Sequence, residues 1–456
     1  MKDLAIVGSG PGGYVAAIRA AQLGMAVTLI EEAETLGGVC LNWGCIPSKA
    51  LLRNAEVLHL IQDSERFGIS RGEVVADYDA AITRSREVVS KLVQGVAFLM
   101  RKNGVEVIRG RGRLVSDQTI EVDPSGQTVA ASQIIIATGA RAKTLSGLNP
   151  DGKSVCTSRE ALELRQLPKS CVIVGGGAIG AEFAYVYSSY GVEVTVVEAL
   201  DRLLPQEDQD ISKELTRQFE RQGIKVLTGS LIQQSERAGE GWTLHLENGE
   251  DVAGEMVLTA TGVAANVEKL GLDEVGVAVA GGFIKVDDHL RTNVPGVFAI
   301  GDVNGPPLLA HAASAEGVIA VETAAGRDVK PLDPIQVPRC TYCQPQVASA
   351  GLTEEQARQQ GRQIRVGKFP FSASGKAIAM GDTVGFIKTV VDAGSGHLLG
   401  THAIGAEVTE LLPEMVMAAW AGVKAEQFEA LVHAHPTLSE SLKEAALAAE
   451  GLAIHI

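Results

Sequence analysis

The chain opens on a wholly apolar run, Leu4-Ala5-Ile6-Val7, then a glycine-dense stretch, Gly8-Ser9-Gly10-Pro11-Gly12-Gly13, then a segment of helical apolar spacing from Tyr14 to Leu23. A second apolar run, Ala26 to Ile30, closes on Glu31. Short continuous apolar runs bounded by turn residues predict strands buried on both faces, so the pattern predicts a βαβ unit. It returns downstream as strand Cys171–Val174, turn Gly175-Gly176-Gly177-Ala178-Ile179-Gly180, helix Ala181–Tyr190 and strand Glu193–Val197, closing on Glu198. Every landmark is displaced by 167 residues, and in both copies the acid falls 23 residues after the first glycine. Each unit is followed by an apolar run into Ala-Thr-Gly, at Thr138-Gly139 and at Thr261-Gly262, and the run Gly296–Ile300 leads into Gly301-Asp302.

From about Pro334 the texture changes. Segments near 346–350, 365–371, 385–391 and 398–405 alternate like strands of an antiparallel sheet, followed by helices over 407–421 and 438–450. The pattern predicts an α/β protein with two Rossmann-like dinucleotide-binding domains and a C-terminal α+β domain. The expected boundaries are 1–145 with 264–333 for the first domain, 146–263 for the second and 334–456 for the third.

A lone Gly-x-Gly-x-x-Gly arises readily in a chain with 51 glycines. Here both copies follow a strand and open a helix, the context that dinucleotide binding requires. Gly8 and Gly10, like Gly175 and Gly177, would let the backbone turn and approach a pyrophosphate, while Gly13 and Gly180 let helix and strand pack closely. Glu31 and Glu198 would take a ribose hydroxyl. At the second site Glu198 favours NAD, because NADP would bring a 2′-phosphate against its carboxylate.

The run Gly37-Gly38-Val39-Cys40-Leu41-Asn42-Trp43-Gly44-Cys45-Ile46-Pro47-Ser48-Lys49 follows directly on the first unit. Residues five apart on a regular helix have Cα atoms roughly 8.6 Å apart, whereas a disulfide needs about 4.4–6.8 Å. A regular helix therefore cannot run through both Cys40 and Cys45 if they are to exchange a disulfide. The glycines permit a distorted turn, and Pro47 suits the first turn of a new helix, leaving Cys45 near a helix N-terminus, where the dipole favours a thiolate.

Net charge is −15, from 40 basic and 55 acidic residues. That balance disfavours a general role on nucleic acid or anionic membranes. Met1-Lys2-Asp3 leads straight into an apolar strand with no evident secretion signal, and no apolar run reaches membrane-spanning length, so a cytoplasmic setting is expected, where a close cysteine pair is more often catalytic than structural. Cys340 and Cys343 form a Cys-x-x-Cys, but no second ligand pair accompanies them as zinc requires, so they read as structural thiols and no metal is expected. Cys156 and Cys171 read as buried small residues.

Near the C-terminus stands His433-Ala434-His435-Pro436-Thr437-Leu438-Ser439-Glu440. Thr437 or Ser439 could cap the following helix, and Glu440 in its first turn could orient an imidazole. A histidine held by a carboxylate is a competent base near neutral pH, which thiolate chemistry needs.

Taken together, the first glycine motif through Tyr14, the Cys40–Lys49 run, Gly175 to Glu182, Gly301-Asp302, Leu309 to Gly317 and His433 to Glu440 resemble the flavoprotein pyridine-nucleotide disulfide oxidoreductases, and within them the dihydrolipoamide dehydrogenases, across essentially the whole chain. The resemblance implies FAD at the first site, with Glu31 on its ribose, Asp302 on its ribitol, Ala310 and His311 facing its pyrimidine end, and Gly112, Thr138 and Gly139 lining it. It implies NAD at the second, with Gly262 beside it. Cys45 would be the thiol against the flavin, Cys40 the interchange thiol, Lys49 a neighbour of the flavin paired with Glu182, and His435 with Glu440 a base supplied by the partner subunit of a homodimer. Lipoyl domains of 2-oxo acid dehydrogenase complexes or the glycine cleavage carrier are the implied partners.

Two departures and three alternatives stand beside this. Where many members have Arg-x-Pro-Asn, this chain has Val263-Ala264-Ala265-Asn266, and Cys343 replaces a threonine. A glutathione-type NADPH-dependent reductase would share the cysteines and histidine but should carry basic residues where Glu198 stands. Mercuric and large thioredoxin reductases need thiols in the tail, and none follows Cys343. A mainly structural assembly subunit would not need the intact cysteine, lysine and histidine motifs.

Overall fold

A computed structural model describes residues 1–456, which divide into two compact units. The first comprises 1–50, 80–143 and 262–334, and the second 51–79, 144–261 and 335–456.

The first unit is built on a seven-stranded sheet. Strand β1 (Lys2–Val7) leads through helix α1 (Pro11–Gln22) to β2 (Val27–Glu31). Helix α2 (Gly38–Trp43), the first turns of helix α3 (Cys45–Gln62), up to residue 50, and helix α4 (Tyr78–Lys102), from residue 80 onward, follow in this unit. Then come β3 (Glu106–Arg109), the antiparallel β4 (Arg111–Ser116) and β5 (Thr119–Asp123), and β6 (Gln127–Ile136). The order is β3-β2-β1-β6-β5-β4, with strand Val297–Ala299 parallel to β6. Leu4 through Val7 are all buried, as expected of a central strand covered on both faces. Each large side chain so buried contributes about 1.5–3 kcal/mol. Helix Ala310–Ala324 packs on α1 at close range, since a Cβ on Gly317 would lie 2.6 Å from the Gly12 carbonyl oxygen.

The second unit holds a five-stranded parallel sheet ordered 225–227, 193–197, 170–174, 256–259 and 155–157, with a three-stranded antiparallel meander over 232–254. It also holds an antiparallel five-stranded sheet, Arg339–Thr341, Gln346–Gly351, Leu398–Gly405, Gly385–Asp392 and Ile364–Pro370, covered by helices Val408–Trp420 and Glu440–Ala448. Lys388, 3% exposed, reaches Asp208 at 2.8 Å, Asp210 at 3.1 Å and Glu354 at 2.8 Å. Three carboxylates around one buried ammonium satisfy the charge that burial would otherwise penalise. The α/β class with an α+β C-terminal part is as the sequence predicts.

Candidate functional site

In the first unit Gly8 has φ +102°, and a Cβ there would meet the Ala137 carbonyl oxygen at 2.3 Å; a Cβ on Gly13 would lie 1.9 Å from the Gly8 carbonyl oxygen. Only hydrogen fits at either place. At Gly10 a Cβ would meet nothing within 4 Å. The loop is therefore tight where it folds on itself and open where a pyrophosphate would approach the helix N-terminus. Glu31, at the end of β2, takes the Ser9 N–H at 2.8 Å and the Ser9 hydroxyl at 2.5 Å through Oε2, and the Ala33 N–H at 2.7 Å through Oε1.

Ser9, which fills a variable position of the motif, links that loop to the cysteines. Its carbonyl and hydroxyl oxygens accept the Gly37 N–H at 3.0 and 3.2 Å. Gly37 and Gly38 have φ +103° and +60°, and a Cβ on Gly38 would sit 2.7 Å from the Gly10 Cα. The cysteine segment thus rests directly on the glycine loop.

The helix breaks where the spacing argument demands. Helix α2 ends at Trp43, Gly44 takes φ −141° and ψ −117°, and α3 begins at Cys45. A side chain at 44 would collide with the Val39 carbonyl oxygen at 2.8 Å. The Asn42 amide donates to the Leu36 and Gly38 carbonyls at 3.1 and 2.9 Å, and the Arg86 guanidinium donates to the Asn42 carbonyl at 2.8 Å, closing the C-terminus of α2. Cys40 and Cys45 are thiols in hydrogen-bonding contact. That contact and then burial push the Cys40 pKa up, with the Lys49 ammonium opposing.

Elsewhere in the first unit, Gly112 is buried against Val7. Thr138 donates to the Asn266 carbonyl at 2.8 Å, and the Asn266 amide returns a bond to the Thr138 carbonyl at 2.9 Å. Val263–Ala265 pairs with Ala140–Ala142, so the departure from Arg-x-Pro-Asn leaves a regular ladder in which Gly262 accepts the Lys143 N–H at 3.0 Å. Asp302 lies in the one-turn 3-10 helix Gly301–Val303, and burial pushes its pKa up. Ala310 and His311 begin the helix Ala310–Ala324.

The second unit repeats the glycine geometry. Gly175 has φ +109°, a Cβ on Gly180 would lie 1.9 Å from the Gly175 carbonyl oxygen, and at Gly177 a Cβ would meet nothing within 4 Å. Gly177 caps helix Ala178–Ser189, whose start carries Ala178 and Ile179. Glu198 takes the Gly176 N–H at 2.6 Å and the Leu200 N–H at 2.8 Å. Glu182, buried in the same helix, accepts the Tyr342 N–H at 3.0 Å. Both cradles fit a dinucleotide.

Also in the second unit, His435 Nδ1 lies 2.9 Å from Glu440 Oε1, with the imidazole 78% exposed. Burial opposes ionisation of Glu440, but the Thr437 N–H at 2.8 Å and the His435 ring outweigh it and hold the carboxyl below its usual range. The expected cap is corrected. Ser439 already has helical φ −65° and ψ −22° and makes no side-chain cap; its hydroxyl pairs with that of Thr437, and Glu440 fastens the turn from within the helix. His433, which the sequence reading passed over, pairs with Glu414 at 2.8 Å and anchors the other side of the loop. Cys156, Cys171 and Cys343 are buried, and no group of three or more His, Cys, Asp or Glu side chains is gathered as a metal site.

Comparison with known proteins decides the family. The family model described as pyridine nucleotide-disulphide oxidoreductase matches residues 2–317, and its dimerisation domain matches 337–446. The chain belongs to the pyridine nucleotide-disulphide oxidoreductase family. Family members named dihydrolipoyl dehydrogenase include one from Zymomonas mobilis, 49% identical with 99% of each chain covered, and one from Mycobacterium bovis, 48% identical with 97% of each covered. Among solved structures, LpdA from Mycobacterium tuberculosis matches with TM-score 0.92 at 27% identity, covering 98% of this chain and 99% of that one. The HOCl-induced flavoprotein disulfide reductase RclA from Escherichia coli matches with TM-score 0.86 at 27% identity, covering 98% and 99%. As in the family, the C-terminal sheet and helices are a dimerisation domain, and the protein is a homodimer. No helix is long and apolar enough to cross a membrane.

Proposed function

We propose that this oxidoreductase is a dihydrolipoyl dehydrogenase, oxidising dihydrolipoamide to lipoamide and reducing NAD, with FAD held in the first unit and NAD in the second. The observation that carries the reading is a pair of thiols on a broken helix packed against a glycine cradle. Gly8, Gly10, Gly13, Glu31, Gly112, Thr138, Gly139, Asp302, Ala310 and His311 would hold FAD, with Lys49 beside its ring system. Gly175, Gly177 to Gly180 and Glu198 would hold NAD. When bound, FAD supplies the two-electron link between a dithiol and a nicotinamide.

His435, kept in one ring orientation by Glu440 and contributed by the partner subunit, takes a proton from a substrate thiol. The resulting thiolate attacks Cys40 in the Cys40–Cys45 disulfide, forming a mixed disulfide and releasing Cys45 as thiolate. The second substrate thiol displaces Cys40 from the mixed disulfide and its proton passes to the departing Cys40 sulfur, so that lipoamide leaves with Cys40 a thiol, Cys45 a thiolate and the first proton on His435. The reduced cysteine pair now holds the two electrons. The helix N-terminus at Cys45 and the Lys49 ammonium favour the negative charge that results.

Lipoyl domains are the proposed protein partners, and the proposed setting is the cytoplasm, where a close cysteine pair is more often catalytic than structural. The test is turnover of Cys45→Ser. Purified wild type should carry flavin and reduce NAD with dihydrolipoamide, far faster than it reduces glutathione disulfide with NADPH, and Cys45→Ser should fall to background. Wild-type turnover in the variant, or a flavin-free wild type, overturns the reading.

A further inference from the structure

Glu316 lies in helix Ala310–Ala324, is 5% exposed and is not among the residues assigned to the cofactor above. Its Oε2 accepts the Gly301 N–H at 2.6 Å and the Asn304 amide N–H at 3.1 Å. Those donors flank Asp302 on either side, so one carboxylate oxygen spans the turn that presents it. Gly301 has φ +71°, a conformation glycine holds without strain, and Asn304 also donates to the Ala299 carbonyl at 3.2 Å.

The helix behind Glu316 is itself immobilised. Gly317 abuts the Gly12 carbonyl, and the Ser314 hydroxyl donates to the Pro11 carbonyl at 3.4 Å. Burial raises the pKa of Glu316, its two donors pull it down, and the nearby Asp302 raises it further. A carboxylate bonded to both ends of the turn fixes how Asp302, between them, can face a ligand. Glu31 and Glu198 hold their own glycine loops by the same device, a buried glutamate on a backbone N–H.

We propose that Glu316 is a positioning residue for flavin binding: it fixes the 301–304 turn so that Asp302 faces the polyol hydroxyls of FAD. This rests on the assignment of FAD to the first unit. The test is the FAD dissociation constant of the holoprotein, followed by fluorescence of released flavin on dilution. Glu316→Ala should weaken FAD about 10- to 100-fold, the effect of losing hydrogen bonds to a charged acceptor. Glu316→Gln, which keeps an acceptor oxygen for Gly301, should stay within about 3-fold of wild type. In an Asp302→Ala background, Glu316→Ala should add little, because the turn no longer has a carboxylate to aim.

A wild-type constant for Glu316→Ala, or a full multiplicative effect of Glu316→Ala on top of Asp302→Ala, overturns the proposal while leaving FAD in its place. A wild type that binds no FAD overturns both. If Glu316→Ala does not fold, Asn304→Ala, which removes one of the two donors, should weaken FAD about 3-fold or more; an unchanged constant there also overturns the proposal.

Discussion

The two glycine cradles are built on the same plan and used differently. In each, a glutamate at the end of the second strand takes the backbone N–H of the residue after the first glycine, at 2.8 Å for Ser9 and 2.6 Å for Gly176. They diverge in what the chain does next. After Glu31 it returns with Gly37 bonded to Ser9 and Gly38 against Gly10, carrying the cysteines behind it. After Glu198 it returns with the Leu204 N–H on the Gly176 carbonyl at 2.9 Å and the Leu203 side chain packed over Gly176. A nucleotide scaffold becomes a redox centre when the returning segment brings thiols instead of leucines. The second cradle, closed by apolar side chains, has no sulfur to offer a bound nicotinamide.

The largest effect that could break this comparison comes from the third glycines. Gly13→Ala and Gly180→Ala each force a methyl to within 1.9 Å of a carbonyl oxygen, and each should cost about 3 kcal/mol or more of local stability. The consequences should differ. Gly13→Ala should lose flavin and colour, whereas Gly180→Ala should keep its flavin, still be reduced by dihydrolipoamide, and fail to pass electrons to NAD. Absorbance spectra with stopped-flow reduction read both, and loss of flavin from Gly180→Ala would show that the cradles are not assigned as proposed.

That contrast was legible in the sequence because it is local. The βαβ repeats, the break between Cys40 and Cys45, and the His435–Glu440 pair all lie within windows of about thirty residues, where glycine position and apolar spacing dictate the backbone. The cap expected at Thr437 or Ser439 failed because Glu440, one residue into the helix, competes successfully for the Thr437 N–H. What escaped was long-range. Arg86 closes the cysteine helix from 44 residues away, and Lys388 meets Asp208 across 180. Ser9 escaped for another reason: the motif treats its position as free, and only the fold shows its hydroxyl bridging Glu31 and Gly37.

The glutamates offer the next sharpening. Glu198→Ala removes two backbone acceptor bonds and the charge that excludes a 2′-phosphate, so kcat/KM with NAD should fall about 10- to 100-fold and the preference for NAD over NADP should shrink by a similar factor. Flavin content should be unchanged. Steady-state kinetics with both nucleotides check it, and a preference left intact would remove Glu198 from the specificity role.

The smallest effect is the most discriminating, because it concerns the one loop position at which the two copies differ by a hydroxymethyl group. Ser9→Ala keeps the Ser9 backbone bond to Glu31 but removes the 2.5 Å hydroxyl bond and the second acceptor for Gly37. One net hydrogen bond to a charged partner is worth about 1.5–3 kcal/mol, part of which Glu31 recovers by rehydration, so flavin affinity should drop about 10-fold. The reciprocal Gly176→Ser cannot gain what Ser9 provides. Its Cβ would lie 2.6 Å from Leu203 Cδ2 and 3.1 Å from Glu198 Cβ, so the added hydroxyl displaces the leucine before it can reach the acid. Gly176→Ser should therefore weaken NAD binding where Ser9 strengthens flavin binding, and calorimetric titration of NAD into the holoprotein reads the sign. A tighter NAD complex in Gly176→Ser would mean that the returning segment follows the loop residue, and not the reverse.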